Sequence, residues 1–285
     1  KNWGNHLFVS IGVGAVGGII FGLVFKALGQ ILFFILCVIM IPLATAELAT
    51  DGWIQTLMRP VLQNEYNIHS GWAIVASAGI MMTLRFFAGI PLKYLSPPAL
   101  LLVSSCFSIV GLYMLSGATG AAIFVAFVFY GIGQTFYWPT VLGFVSERFP
   151  KGGAMTLNTV SAMGLLTVGI FGFPFLGAVK DSFDAKAVKA HAPALYEKYE
   201  IADKKFFGVS YSSIKSNEVL ADESLNEEAK TTLKGEIDKS ARSTIKVAAV
   251  LPGTMAVAFL AILIWFKTQG GYKQIHLDES GGGDE

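Results

Sequence analysis

The chain has 285 residues, 53% of them hydrophobic and only 14% charged, with a mean hydropathy of +0.58. A soluble domain of this length carries roughly a quarter charged residues, so the composition excludes an ordinary soluble globule and calls for lipid around the chain. A net charge of +1, with no stripe of basic residues interleaved with aromatics, excludes nucleic acid as a partner.

A helix needs about 20 mainly apolar residues to cross the hydrocarbon layer. Seven stretches meet that length, at about 7–25, 29–57, 71–92, 98–116, 119–146, 154–179 and 247–266. They are too long and too continuously apolar for the alternating strands of a closed barrel, so the expected fold is an all-α integral membrane protein with about seven transmembrane helices. Breakers such as Arg59-Pro60, Pro97-Pro98 and the run Pro150 to Gly153 separate them.

In the first stretch Gly12, Gly14 and Gly17 match the dinucleotide pattern G-x-G-x-x-G, but the βαβ unit and following acidic residue that the fingerprint requires are missing. Gly14, Gly18 and Gly22, four residues apart, instead put small residues on one face for close helix packing. The second stretch carries Glu47, Thr50, Asp51 and Gln55 at spacings that align them along one helical stripe. A carboxylate inside a membrane is costly unless it is paired, protonated or facing water, which makes Glu47 and Asp51 functional candidates by default. The bland alternatives are a helix–helix hydrogen bond for Glu47 and an outer-interface position beside Trp53 for Asp51.

Arg85 and Glu147 close the third and fifth stretches on the same side, and are expected to meet as an ion pair that latches one gate state; solvated interface charges are the alternative. The fifth stretch aligns Tyr130, Gln134, Tyr137 and Trp138 on one face before Pro139. Rings that cover an apolar C–H face beside amides and carboxylates that hold hydroxyls suit a sugar-like ligand, although an interface belt or core packing would use the same residues. Asn158 and Ser161 either join that cavity or hydrogen-bond between helices. Gly164, Gly169, Gly172 and Gly177 with Pro174 make the sixth stretch closely packed and able to bend.

Residues 180–246 hold 12 Lys/Arg and 12 Asp/Glu, more than half of the chain's 41 charges. This block reads as a small helical cap or mobile loop outside the membrane, with helical stretches around Pro193–Asp203 and Glu218–Arg242; substrate capture is a further role it could serve. The tail Asp278–Glu285 reads as disordered. Short loops on one side hold Lys26, Arg85, Lys93, Arg148, Lys151, Lys267 and Lys273 against Lys1 and Arg59 on the other, which places the C-terminus in the cytoplasm of a multi-pass inner-membrane protein. The histidines His6, His69, His191 and His276 have no metal-ligand spacing, and no nucleophile motif is present, so neither an enzyme nor a metal or other cofactor is expected. Cys37 and Cys106 sit in apolar runs as small packing residues.

The run Arg85 to Gly89, followed by Leu92 to Pro97, resembles the loop between the second and third helices of a major facilitator half. Gly131 to Pro139 through Ser146 to Gly153 resembles the fourth helix of such a half entering its cytoplasmic turn. Ala46 to Trp53 is similar to the first helix of the C-terminal half in the fucose and related sugar–proton symporters. The likeness spans about residues 29–179 and 247–273.

This likeness implies that residues 1–28 hold the last helix of an N-terminal half, otherwise missing, and that the next six helices form the C-terminal half, with 180–246 as an insertion and 247–285 as the final helix and tail. The expected activity is proton-coupled symport of a sugar or related small metabolite by alternating access. Glu47, Asp51, Gln55, Tyr130, Gln134, Tyr137, Trp138 and Asn158 would line the path, and Arg85 and Glu147 would gate it. Three departures stand out: the short connection Lys26 to Gly29, the long insertion, and Ile90-Pro91-Leu92 where the family motif has an acidic residue. Efflux of amphipathic compounds past Met81, Met82, Tyr130 and Trp138, and a scaffold whose outer domain binds a partner, are the competing readings.

Overall fold

The computed structural model describes residues 31–119 and 122–275. The first predicted span, 7–25, its glycines and the tail from Asp278 lie outside the described residues. Among the described residues, five helices are long and apolar enough to cross a membrane: α1 (Ile31–Gln63), α3 (Pro97–Gly117), α4 (Ala122–Arg148), α5 (Pro150–His191) and α6 (Glu227–Thr268), with the shorter apolar helix α2 (Trp72–Phe86) between the first two. Consecutive helices run in opposite directions. Phe33 at the start of α1 stacks edge-on against Phe149 just past the end of α4, while at the far side Arg242 of α6 donates to the Ala118 carbonyl after α3.

Prolines and glycines set the helix ends. Pro97 and Pro98 start α3, where a missing N–H costs nothing. Expected to run to residue 92, α2 stops at Phe86 because Pro91 cannot donate to the Phe87 carbonyl, which instead accepts a tight turn from Ile90 N–H at 2.9 Å. A short helix, Gly89–Tyr94, then follows. Helices α3 and α4 touch through small residues: a Cβ on Gly111 would overlap the Tyr130 backbone, and one on Gly133 would overlap Ser108.

Both α5 and α6 extend over 42 residues, about 63 Å each, twice the hydrocarbon thickness. The helical fold of the sixth span therefore does not end at residue 179, nor does the last begin at 247; both continue into the polar block and pack together as a stalk. Between them the chain forms a two-stranded antiparallel hairpin, β1 (Glu200–Phe206) and β2 (Val209–Ile214). Its loop, Phe207-Gly208, has φ of 47° and 84°, the two positive values of a type I′ turn. The chain is otherwise helical, and this hairpin corrects only the expectation of a helix through Asp203: Glu200 to Ile214 is rich in β-branched and aromatic residues in a segment too charged to bury as a span.

The cap has its own core, built from Ala185, Val188, Leu195, Tyr196, Ile214, Val219, Leu233 and Ile237. Lys204 pairs with Asp181 at 3.0 Å and Ser213 donates to it at 2.8 Å, so the hairpin is tied to α5. Asp222 accepts from Lys198 at 2.6 Å and Tyr199 at 2.7 Å; these bonds, with those from Ser224, hold its carboxyl well below the usual carboxylate range.

Among the described residues, the apolar helices enclose two cores. One, away from the cap, gathers Leu36, Leu43, Tyr137, Phe144, Met255 and Phe259. The other, on the cap side, gathers Ile54, Leu57, Leu112, Phe127, Tyr130 and Ile245. Their junction falls between Ala46 and Ala49 on α1 and between Tyr130 and Tyr137 on α4, where Glu47 and Gln134 lie.

Candidate functional site

Two local irregularities expose backbone groups at that junction. In α4 the helix breaks at Phe136 (φ −97°, ψ −2°) and restarts at Tyr137. Pro139 lacks the N–H that would serve the Thr135 carbonyl four residues back. Arg85 takes the vacated position, its Nε donating to that carbonyl at 3.1 Å. The broken turn also frees the Trp138 N–H, which donates to Glu47 Oε2 at 3.1 Å. In α1, residues Thr45–Ala49 form a π-helical turn with Glu47 at its centre, of the kind often found at functional sites. Thr50 Oγ1 donates to the Thr45 carbonyl at 3.1 Å and helps satisfy that turn.

Glu47 and Arg85 then meet directly: Nη2 donates to Oε1 at 2.9 Å, with the Glu47 side chain 5% exposed and that of Arg85 42%. Glu47 lies about 24 Å along the helix from either end of α1, the middle of the span. One guanidinium thus links α2 to the carboxylate of α1 and to the broken turn of α4.

Four residues on, Asp51 Oδ1 accepts three hydrogen bonds, from Ser77 Oγ at 3.2 Å, Tyr130 OH at 3.0 Å and Gln134 Nε2 at 3.1 Å. Gln134 Nε2 also donates to Ser77 Oγ. Ser77, Tyr130 and Gln134 are fully buried, and Gln134 Oε1 is buried without a hydrogen-bond partner.

Of the predicted site residues, the fold brings together Glu47, Asp51, Arg85, Tyr130 and Gln134, with Trp138 contributing its backbone. Tyr137 is fully buried, turned toward Ser105 and Ser108 of α3, and the half-buried Trp138 ring packs against both apolar cores. Gln55 stands two turns nearer the cap, close to Gly71. Asn158 is exposed on α5 and joins none of these contacts.

The expected Arg85–Glu147 ion pair does not form. Arg85 is drawn inward to Glu47, because the carboxylate and the Thr135 carbonyl are buried acceptors that lack another strong donor. Glu147 instead accepts from Tyr272 OH at 2.5 Å, and its backbone carbonyl accepts from Ile275 N–H at 3.0 Å. Arg148 next to it donates to the Lys273 carbonyl at 2.7 Å. Burial and the Glu147 carboxylate push the Tyr272 hydroxyl well above the usual tyrosine range, so it stays a donor. The tail after α6 is thereby tied to the end of α4. Arg85 and Glu147 still face one cavity of about 310 Å³, shared with Pro97, Phe136 and Thr140.

Sequence reasoning missed Ser77 and Thr135. Ser77 is one small hydroxyl in an apolar helix with nothing to distinguish it. Thr135 was findable, since any proline inside a span frees the carbonyl four residues before it. Neither a protein-family model, nor a curated protein, nor a solved structure matches this chain.

Proposed function

We propose that the chain is the C-terminal half of a major facilitator transporter. It would carry a small polar solute, a sugar or a related metabolite, across the inner membrane by alternating access against an N-terminal half, with its own C-terminus in the cytoplasm. The single observation that supports the reading best is the Glu47–Arg85 pair at mid-span, bridging three helices through a broken turn. Charges placed there cost several kcal/mol in lipid, and a packing-only bundle has no use for them.

In this reading a hydroxylated solute competes for Glu47 and Arg85. As the solute's hydroxyls take over the carboxylate and the guanidinium, the bonds from Arg85 to Thr135 and from Trp138 to Glu47 loosen, and α2 is freed from α1 and α4. Arg85 is the gating residue, with Glu47 rather than Glu147 as its partner. Glu47 is held by a fixed cation, which suits binding and latching better than carrying the coupling proton.

A second reading rests on a recess of about 430 Å³ lined by Ala78, Met81, Met82, Arg85 and Phe86. Apolar walls with one guanidinium fit an amphipathic anion, the efflux alternative. The test is uptake into proteoliposomes by the full-length transporter, using a labelled sugar panel beside hydrophobic anions, for wild type and Glu47→Gln. Gradient-driven uptake of one sugar that the variant abolishes is the expected result. Movement of hydrophobic anions alone, unaffected by the variant, would overturn sugar transport.

A further inference from the structure

The hairpin between α5 and α6 descends along α5 toward its apolar run, and its contacts mark the descent step by step. Ser216, just past β2, donates to Asp184 at 3.0 Å, and Ser213 and Lys204 hold Asp181 at 2.8 and 3.0 Å. At the tip, the rings of Phe206 and Phe207 pack against Phe171 with centroids 5.5 and 5.9 Å away, and Phe206 also meets Phe175 at 6.1 Å. From Asp184 to Phe171 is about 20 Å of helix.

The charges of α5 give the depth of that tip. Residues 152–179 carry none, a run of about 42 Å against a hydrocarbon layer of about 30 Å. Phe171 lies about 14 Å before Lys180, the first charge after the run. With the excess length shared between the two ends, Phe171 stands about 8 Å inside the cap-side edge of the hydrocarbon, a depth at which interfacial segments bury their apolar faces.

The tip carries what that depth calls for. Phe207 and Val209 are each 70% exposed, although both are apolar residues on a charged cap. From Lys204 to Lys215 the sequence holds three lysines and no carboxylate, within a block that is otherwise balanced in charge. Lys204 is taken by Asp181 and Lys215 by Glu218 at 2.9 Å. Lys205 is exposed and has no ion-pair partner among the described residues. It stands about 7 Å nearer the polar block than Phe207, so its stem can lie along apolar surface while the ammonium reaches headgroup phosphates. A protein surface covering Phe207 would bury that unpaired ammonium, whereas a lipid leaflet accommodates both.

We infer that the turn Phe206–Val209 anchors the cap in the bilayer: Phe207 and Val209 seat in the acyl-chain region just below the headgroups of the cap-side leaflet, with Lys205 on a lipid phosphate. The anchor fixes the cap against the membrane beside α5. It rests on α5 crossing a bilayer and not on what the protein transports.

The test places an environment-sensitive fluorophore on the purified protein in phospholipid nanodiscs, at Phe207→Cys, with Cys37→Ala and Cys106→Ala removing the native thiols. The expected result is stronger quenching by lipids spin-labelled near the headgroup than by lipids labelled near the chain end. Quenching by aqueous iodide should be several-fold weaker than for a label at Ser212→Cys, an exposed position further from the tip. Val209→Cys, on the other side of the turn, should give the same pattern, so disturbance of one position does not decide the result. Adding Lys205→Glu should raise iodide access at residue 207 several-fold. Equal iodide quenching at 207 and 212 puts the tip in water and overturns the inference. A label shielded from both iodide and spin-labelled lipid is covered by protein, which overturns it as well, and iodide access unchanged by Lys205→Glu refutes the phosphate contact. Because no transport is measured, failure of the anchor and failure of the transporter reading are separate outcomes.

Discussion

Replacing Arg85 by Met should be far more damaging than replacing Glu47 by Gln, although each removes one member of the same pair. Breaking a buried ion pair costs about 3–5 kcal/mol when the surviving charge is stranded. The Arg85 side chain is 42% exposed and the Glu47 side chain 5%, so solvent screening at one end reduces this to about 2–3 kcal/mol. Loss of the donor to the Thr135 carbonyl, which Pro139 cannot replace, adds about 1 kcal/mol. Glu47→Gln strands nothing comparable. Its amide oxygen still accepts from Trp138 N–H, and the partly exposed guanidinium keeps the Thr135 carbonyl and faces the cavity it lines, for a cost of about 1 kcal/mol. The double variant should therefore be more stable than Arg85→Met alone, by about 2 kcal/mol. Reversible unfolding by SDS titration in mixed micelles measures all four proteins. Equal single-variant costs, or strictly additive ones, would refute the account of a buried carboxylate held by one half-exposed cation.

Three further predictions follow from the same geometry. Pro139→Ala restores an N–H that competes with Arg85 for the Thr135 carbonyl, so helix α4 should straighten, with stability unchanged or raised and uptake lowered; unaltered uptake would remove the broken turn from the mechanism. Gly111→Val drives a branched side chain into the Tyr130 backbone and should destabilise the α3–α4 contact by about 3 kcal/mol or more, read by the same SDS titration, whereas Gly143→Ala, with open space around it, should cost little. In the cap, Asp222 has a depressed folded-state pKa. Its stabilisation is complete above the ordinary aspartate value and declines as pH falls below it toward the folded one. Asp222→Asn should lower cap stability at neutral pH and flatten the acid limb, as followed by hydrogen exchange of Lys198 and Tyr199.

Much of the site was legible because lipid makes it so. In a run as apolar as Ile31 to Ala44, a following Glu47 and Asp51 can be tolerated only with partners or water, and the one-face spacing of Tyr130 and Gln134 marked a second polar stripe before any fold was known. What the spacing could not say is which groups pair. Sequence position pointed to Glu147 as the partner of Arg85, because both close their spans on one side, and the pairing with Glu47 came only from how the helices cross.

Composition and run length alone determined that the chain forms helices long enough for a bilayer, because every backbone group there must be satisfied within its own segment. They also determined that residues 180–246 stand apart, since 24 charges cannot enter lipid. Tertiary structure alone decided that this block continues two spans as a stalk with a hairpin between them, since helix continuation across a polarity boundary depends on what the far half packs against. It alone decided the pairing of Arg85 with Glu47 and the convergence of Ser77, Tyr130 and Gln134 on Asp51. Those bonds join residues 26 to 83 positions apart, and such distances close only when several helices pack at once.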